Sequence, residues 1–161
     1  MSDLPTLLQD FYREKLTALL RHQDGARLIG QYDANNTYQY IINREETQLT
    51  WVAAAIAELG SAPQEVASAD RAVSGRGAAA ARTVFEEDVR DAQAFVDRWK
   101  PRIAAMTNAR HAKMLRVILG EVLEQKRFFE QALAGRTDLL GRRADTLEPS
   151  HGEVLPARWI E

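Results

Sequence analysis

The sequence predicts an all-α protein, an antiparallel four-helix bundle with one long connection between its second and third helices. Four long segments carry apolar residues at the three- to four-residue spacing of an amphipathic helix. No run shows the alternation of β-branched residues that is typical of a half-buried strand. Prolines are few, and they fall where the predicted helices start or stop.

The totals limit the class of protein. A chain of 161 residues suits one domain with one core. Its net charge of −2 favours neither nucleic acid nor an acidic membrane as a partner. The absence of cysteine excludes disulfides, thiol nucleophiles and zinc–thiolate sites. Because neither a signal peptide nor a membrane-spanning apolar run is recognisable, we expect a cytoplasmic protein without a membrane partner.

The first two predicted helices form a hairpin. The first covers about residues 4–28, and Pro5 is tolerated there because N–H groups of a first helical turn lack partners within the helix. The second covers about residues 37–59, with Asn36 or Thr37 as its cap. Gly60 is suited to the left-handed conformation that ends a helix.

Residues 61–77 are rich in Ala, Ser and Gly, and they form a connection about three times the usual loop length. A third helix follows over about residues 78–99 and would kink if it passed Pro101. The fourth covers about residues 108–134 and stops at Gly135. We assign 1–140 to the bundle and expect the tail, 141–161, to pack on the bundle or on a partner subunit of a homodimer.

Polar side chains fall on the inward stripes of all four predicted helices. The candidates are Glu14, Glu45, Gln48, Glu87, Asp88, Glu121, Glu124 and Gln125. The helical phase leaves open whether Glu14 or Lys15, and Glu87 or Asp88, points inward. Buried carboxylates must be paired, protonated or bound to metal. Carboxylates that converge from facing helices build two-metal sites in bundles, so a metal site is one interpretation of these residues.

Two passages, Asn43–Trp51 (NREETQLTW) and Glu121–Glu130 (EVLEQKRFFE), give the chain a family resemblance. Together with the helix order and the long connection, they resemble the second and fourth helices of the ferritin-like superfamily, especially its rubrerythrin-like members. The resemblance implies a Glu-x-x-His metal motif in each passage. Glu45 and Gln48 take the two motif positions in the first passage.

In the second passage Val122 takes the glutamate position and Gln125 the histidine position, with Glu121 one residue away. The lone carboxylates of the first and third helices would fall near Glu14 and near Glu87 or Asp88. The resemblance implies two metal-binding histidines, and this chain has glutamine at both positions. A glutamine amide is a poorer iron ligand than an imidazole.

The glutamines at the two histidine positions lead to two hypotheses about function. One is a ferritin-like bundle with a degenerate site and a non-catalytic binding or stress-associated role. The other is a di-metal oxidoreductase or storage protein with an all-oxygen iron or manganese site, so the sequence leaves open whether the chain is an enzyme. If Lys15 points inward, its ammonium can take the metal's place in a network with Glu45 and Asp88, bridged by Gln48 and Gln125. We interpret His22 as a satisfied histidine near the end of the first helix rather than a ligand.

Overall fold

The computed structural model describes residues 3–67, 70–136 and 138–140. Its elements are α1 (Leu4–Ala26), α2 (Tyr32–Glu58), α3 (Ala78–Ala104) and α4 (Ala109–Leu133). No strand occurs within the described ranges. The predicted all-α four-helix class is therefore confirmed. The tail, with its Trp159 and Ile160, lies outside the described residues, and its packing stays a prediction.

The helix ends show the expected capping chemistry. The Asp3 carboxylate accepts a hydrogen bond from the Thr6 backbone N–H at 2.9 Å and caps α1. Gly60 and Gly135 follow α2 and α4 with φ of +80° and +83°, as the sequence predicts for helix-ending glycines. Helix α3 continues through Pro101 to Ala104, beyond the predicted end near residue 99.

The start of α2 differs from the prediction. The helix begins at Tyr32, and the Gln31 side chain caps it by accepting from the Ala34 N–H at 2.6 Å. Asn36 or Thr37 as the cap was therefore wrong. The Thr37 hydroxyl is satisfied inside the helix, where it donates to the carbonyl oxygen four residues earlier.

Each close pair of helices is antiparallel. The close pairs are α1 with α2, α3 with α4, α2 with α4, and α1 with α3. Asp10 near the start of α1 pairs with Arg102 near the end of α3, and Glu58 at the end of α2 pairs with Arg110 at the start of α4. Helices α2 and α3 are thus diagonal and parallel. The chain must return along the length of the bundle between them.

The crossover, residues 61–77, makes this return, and its described parts, 61–67 and 70–77, contact α1. Near the start of α1, the Gln9 amide donates to the Ala62 carbonyl oxygen at 2.7 Å. Near its end, the Asp24 carboxylate accepts from the Arg71 backbone N–H at 3.2 Å. These anchor points on α1 are about 22 Å apart at the rise of an α-helix. The crossover thereby brings the Arg71 side chain to the interior of the bundle.

A layer of polar side chains separates two apolar clusters in the core. One cluster contains Phe11, Phe95 and Trp99, and the other contains Tyr38 and Phe129. The polar layer consists of Lys15, His22, Glu45, Gln48, Asp88 and Gln125, each no more than 7% exposed. In the described part of the chain, no helix has the combined length and apolar character needed to cross a membrane.

Candidate functional site

Lys15 and Glu45 form a buried ion pair at the centre of the polar layer. Lys15 lies on the inward stripe of α1, and its Nζ is 3.0 Å from Oε2 of Glu45 on α2. The two side chains are 2% and 0% exposed. The sequence left open whether Glu14 or Lys15 points inward, and in the structure it is Lys15. The ammonium lies beside a carboxylate that the family resemblance implies as a metal ligand.

His22 connects the two buried carboxylates. It follows Lys15 by two helical turns, so both side chains lie on one face of α1. Its Nδ1 makes a short hydrogen bond with Glu45 Oε1, and its Nε2 lies 4.0 Å from Asp88 Oδ1. Burial alone would lower the pKa of His22, but the charges of Glu45 and Asp88 outweigh burial and raise this pKa. The geometry therefore favours the imidazolium, with a carboxylate facing each ring nitrogen.

Glu45 is held as a carboxylate. Burial would raise its pKa, but the charges and hydrogen bonds of His22 and Lys15 lower the pKa to about 2. Each of its oxygens contacts one of these two groups. Glu45 consequently stays ionised at neutral pH, with both oxygens engaged.

Asp88 has a different set of partners. The Tyr38 hydroxyl donates to Asp88 Oδ2 at 2.5 Å, and Nη2 of Arg71 lies 2.9 Å from Oδ1. Burial, and next the charge of Asp88, raise the pKa of Tyr38 well above its ordinary value. Tyr38 therefore remains a neutral phenol that donates to the carboxylate.

The Arg71 guanidinium enters the bundle beside Gly25. Its side chain is 1% exposed, and it donates to the backbone carbonyl oxygens of Arg21 at 3.0 Å and Val84 at 3.2 Å. A Cβ atom on Gly25 would lie 2.7 Å from Nη1 of Arg71. The glycine near the end of α1 thus provides the space through which the arginine passes. Burial would lower the pKa of Arg71, but Asp88 outweighs burial and raises this pKa.

The two glutamines do not bridge the network. Gln48 donates a short hydrogen bond to Glu121, and its Oε1 has no partner among the described residues. The Gln125 side chain makes no hydrogen bond to any residue of the described ranges, although Gln125 is only 4% exposed. The predicted bridge through Gln48 and Gln125 was therefore wrong. His22 and Arg71 make the connections instead.

The other four candidate ligands pair with arginines nearer the surface. Glu14 meets Arg98 at 3.2 Å, Glu87 meets Arg21 at 3.2 Å, Glu121 meets Arg44 at 3.0 Å, and Glu124 meets Arg127 at 3.3 Å. Of the predicted site residues, the structure brings Glu45 and Asp88 together around His22. It also joins Gln48 to Glu121, and it leaves Glu14 and Glu124 outside the polar layer.

The donor set of the polar layer is a poor fit for a resident metal. No group of three or more His, Asp or Glu with a metal-binding arrangement occurs within 3–67, 70–136 and 138–140. Lys15 faces the carboxylate of Glu45, and Arg71 faces that of Asp88. A divalent ion at either carboxylate would displace one of these cations and leave it buried without a partner, which is costly.

A cavity of about 230 Å³ between α1 and α3 adjoins the polar layer. Charged and amide groups that line it are Lys15, His22, Glu45 and Gln125, with Glu14, Arg21, Asp91 and Arg98. Apolar groups that line it include Ala18, Ala92, Phe95 and Val122. A pocket with a few convergent polar groups and apolar walls is the usual form of a small-molecule site.

The sequence placed Glu45 in the site and left the choice between Glu14 and Lys15 open. It gave no role to Tyr38 or Arg71. Tyr38 precedes Glu45 by seven residues, which is about two helical turns, so the two side chains share a face of α2 and this spacing could have indicated Tyr38. Arg71 lies in a segment without helical periodicity and offers no such signal. Comparisons of the chain with protein-family models, curated proteins and solved structures found no match.

Proposed function

We propose that the chain is a ferritin-like bundle in which ion pairs have replaced the metal centre and which acts as a non-catalytic binding protein. One observation carries this function: in the buried polar layer, the Lys15 ammonium lies 3.0 Å from Glu45. Glu45 is the residue that takes a metal-ligand position in the family resemblance. A protein cation at that carboxylate supplies the charge that a metal would otherwise supply.

The topology supports the ferritin-like part of the proposal. Two hairpins joined by one long crossover is the form that ferritin-like bundles take, in contrast to up-down-up-down bundles with short loops only. The crossover here joins the parallel, diagonal helices α2 and α3. Glu45 and Gln48 are fully buried on α2, and Gln125 is buried on α4, in keeping with the motif positions that they take in the resemblance.

The protonation states support binding rather than acid–base catalysis. The pKa of Glu45 lies far below neutrality, and that of Tyr38 lies well above its ordinary value, so neither group exchanges a proton near pH 7. An efficient general acid or base has a pKa near the working pH. Both ring nitrogens of His22 face carboxylates, which leaves the ring without a lone pair for a substrate. We include a cytoplasmic location and a homodimer in the proposal.

Metal analysis of the purified full-length chain tests the proposed function. We expect clearly substoichiometric metal after expression in medium with added iron or manganese. A ligand that binds only the folded state must raise its stability. Since we expect no metal to bind in the polar layer, Fe²⁺ or Mn²⁺ should not raise the melting temperature.

The variants Glu45→Gln and Glu46→Gln make the test specific. Glu46 is the exposed neighbour of Glu45 and serves as the matched control. The contrary result is stoichiometric iron or manganese in the unaltered chain and in Glu46→Gln, with none in Glu45→Gln. That result would contradict the proposal and favour the di-metal protein. Metal that binds all three proteins equally would indicate surface sites and would leave the ion-paired centre in place.

A further inference from the structure

We propose that the cavity between α1 and α3 binds a small organic monocarboxylate, whose carboxylate group Lys15 and Gln125 hold and whose apolar part packs against Phe95 and Val122. This ligand class extends the binding role proposed above and rests on it. The charge balance of the lining, its unused hydrogen-bonding groups and its apolar walls each favour this ligand.

The charges that line the cavity favour one negative charge in the ligand. With His22 as the imidazolium, the cationic groups are Lys15, Arg21, His22 and Arg98, and the anionic groups are Glu14, Glu45 and Asp91. Arg21 pairs with Asp91 at 3.0 Å and Arg98 with Glu14 at 3.2 Å, so these pairs neutralise each other. Among the lining residues alone, one positive charge is in excess, on Lys15 and His22 around Glu45. Behind the lining, Asp88 faces His22 and is paired with Arg71, and the partly exposed Glu87 faces Arg21 and Arg71.

Two buried groups have hydrogen-bonding capacity that the described protein does not use. An ammonium has three N–H donors, and Lys15 makes one hydrogen bond among the described residues, to Glu45. The Gln125 amide makes none there. Both residues line the cavity, so a ligand that accepts from both gains hydrogen bonds from donors that the described protein leaves unused. A carboxylate accepts such charge-assisted hydrogen bonds with two oxygens.

The rest of the lining favours an organic rather than an inorganic anion. Ala18, Ala92, Phe95 and Val122 give the cavity an apolar side. The volume of about 230 Å³ equals about eight waters at about 30 Å³ each. A four-carbon monocarboxylate such as butyrate therefore fits, and its chain covers surface that chloride would leave in contact with water. A dicarboxylate would need a second free cation, whereas the arginines of the lining are already paired.

Calorimetric titration of the metal-free full-length chain with butyrate, butyramide and chloride tests the proposal. Butyramide has the same shape as butyrate without its charge, and chloride has the charge without the apolar part. We expect butyrate to bind at least about tenfold more tightly than either probe, as the loss of a charged hydrogen-bond partner implies. Equal or weaker binding of butyrate would overturn the ligand class.

Two variants locate the binding in this cavity. Gln125→Leu removes the amide without breaking a described hydrogen bond, and we expect about tenfold weaker butyrate binding. Ala18→Leu places a larger side chain in the cavity and should abolish the binding. Ala54→Leu, on the exposed side of α2, is the matched control and should bind butyrate like the unaltered chain. Equal butyrate affinity in the Ala18 and Ala54 variants would overturn the location even if the Gln125 variant fails to fold.

The two proposals fail in different ways. Stoichiometric metal that depends on Glu45 would sink the proposed metal-free function, whatever the titrations show. A folded, metal-free chain that does not prefer butyrate would sink only the ligand class.

Discussion

The two buried carboxylates of the bundle, Glu45 and Asp88, are both matched by cations, but the cations come from different kinds of structure. Glu45 on α2 meets Lys15 and His22, which are side chains of the neighbouring helix in the same hairpin. Asp88 on α3 meets Arg71, which arrives from the crossover. The first arrangement follows from helical periodicity, whereas the second depends on where an irregular segment meets the bundle.

The largest expected effect comes from breaking the pair within the hairpin. Lys15→Met should lower the free energy of unfolding by about 3–5 kcal/mol, because it leaves Glu45 buried with one fewer cation. Urea denaturation measures the loss. Lys113→Met, at an exposed position of α4, is the control and should change the stability by less than about 0.5 kcal/mol. A loss as small as that of the control would show that Glu45 does not depend on Lys15.

The double variant Lys15→Met/Glu45→Met separates the pair from the cost of a bare charge. Replacing a whole buried ion pair by apolar groups of similar volume is often neutral or stabilising. We therefore expect the double variant to recover much of the loss, with His22 keeping only its contact to Asp88. A double variant that is less stable than Lys15→Met would contradict this explanation.

The two carboxylates also differ in how well the sequence predicts their partners. The spacing of apolar residues predicted the four helices, and it placed Glu45 on an inward stripe. It left open whether Glu14 or Lys15 points inward on the first helix. Capping was less predictable, since the Gln31 side chain starts α2 before the expected Asn36 or Thr37. Arg71 was beyond reach, because the depth of a loop side chain depends on the path of the crossover and not on a local period.

Removing a hydrogen-bond partner of Asp88 should cause the next largest loss of stability. Tyr38→Phe removes the hydroxyl that donates to Asp88 at 2.5 Å, and we expect a loss of about 1.5–3 kcal/mol for a hydrogen bond to a charged group. Tyr40→Phe is the control, because Tyr40 is 47% exposed. Thermal and urea unfolding of both variants measure the difference. If the two variants are equally stable, Arg71 and His22 account for the burial of Asp88 without the Tyr38 hydroxyl.

A substitution at Gly25 tests whether Arg71 needs the space that the glycine leaves beside it. A Cβ on Gly25 would lie 2.7 Å from Arg71 Nη1 and 2.9 Å from Val84 Cγ1. Overpacking costs about 1–3 kcal/mol, and the higher helix propensity of alanine offsets about 1 kcal/mol of it. We expect Gly25→Ala to lower the free energy of unfolding by about 1 kcal/mol in urea denaturation.

Gly120→Ala is the matched control for Gly25→Ala. Gly120 lies inside α4, and a Cβ there meets no atom within 4 Å. Only the gain in helix propensity remains, so the control should be more stable than the unaltered chain, by up to about 1 kcal/mol. Stabilisation by both substitutions would mean that Arg71 moves aside at no cost.

His22 connects the two carboxylates and gives the smallest effect, which depends on pH. Glu45 from α2 and Asp88 from α3 face its ring nitrogens, and both raise its pKa. Lys15, on its own helix, opposes them. Tyr38 packs edge-on against the ring and Phe129, from α4, packs at a tilt, and neither adds charge at neutral pH.

Because the pKa of His22 is raised by folding above its ordinary value of 6.5, the folded state binds the proton more tightly than the unfolded state. The stabilisation is fully present below pH 6.5 and is lost as the pH rises through the folded pKa. Glu45, whose pKa falls to about 2, contributes in the opposite sense, and its part is lost only as the pH drops from about 4.5 towards 2.

Urea denaturation across pH 5–9 should therefore show stability that declines on the alkaline side. His22→Gln should remove that decline, and His111→Gln, about 21 Å along α4 from Gln125, should retain it. A decline of equal size in the His22 and His111 variants would mean that the proton shared between the two carboxylates does not stabilise the fold.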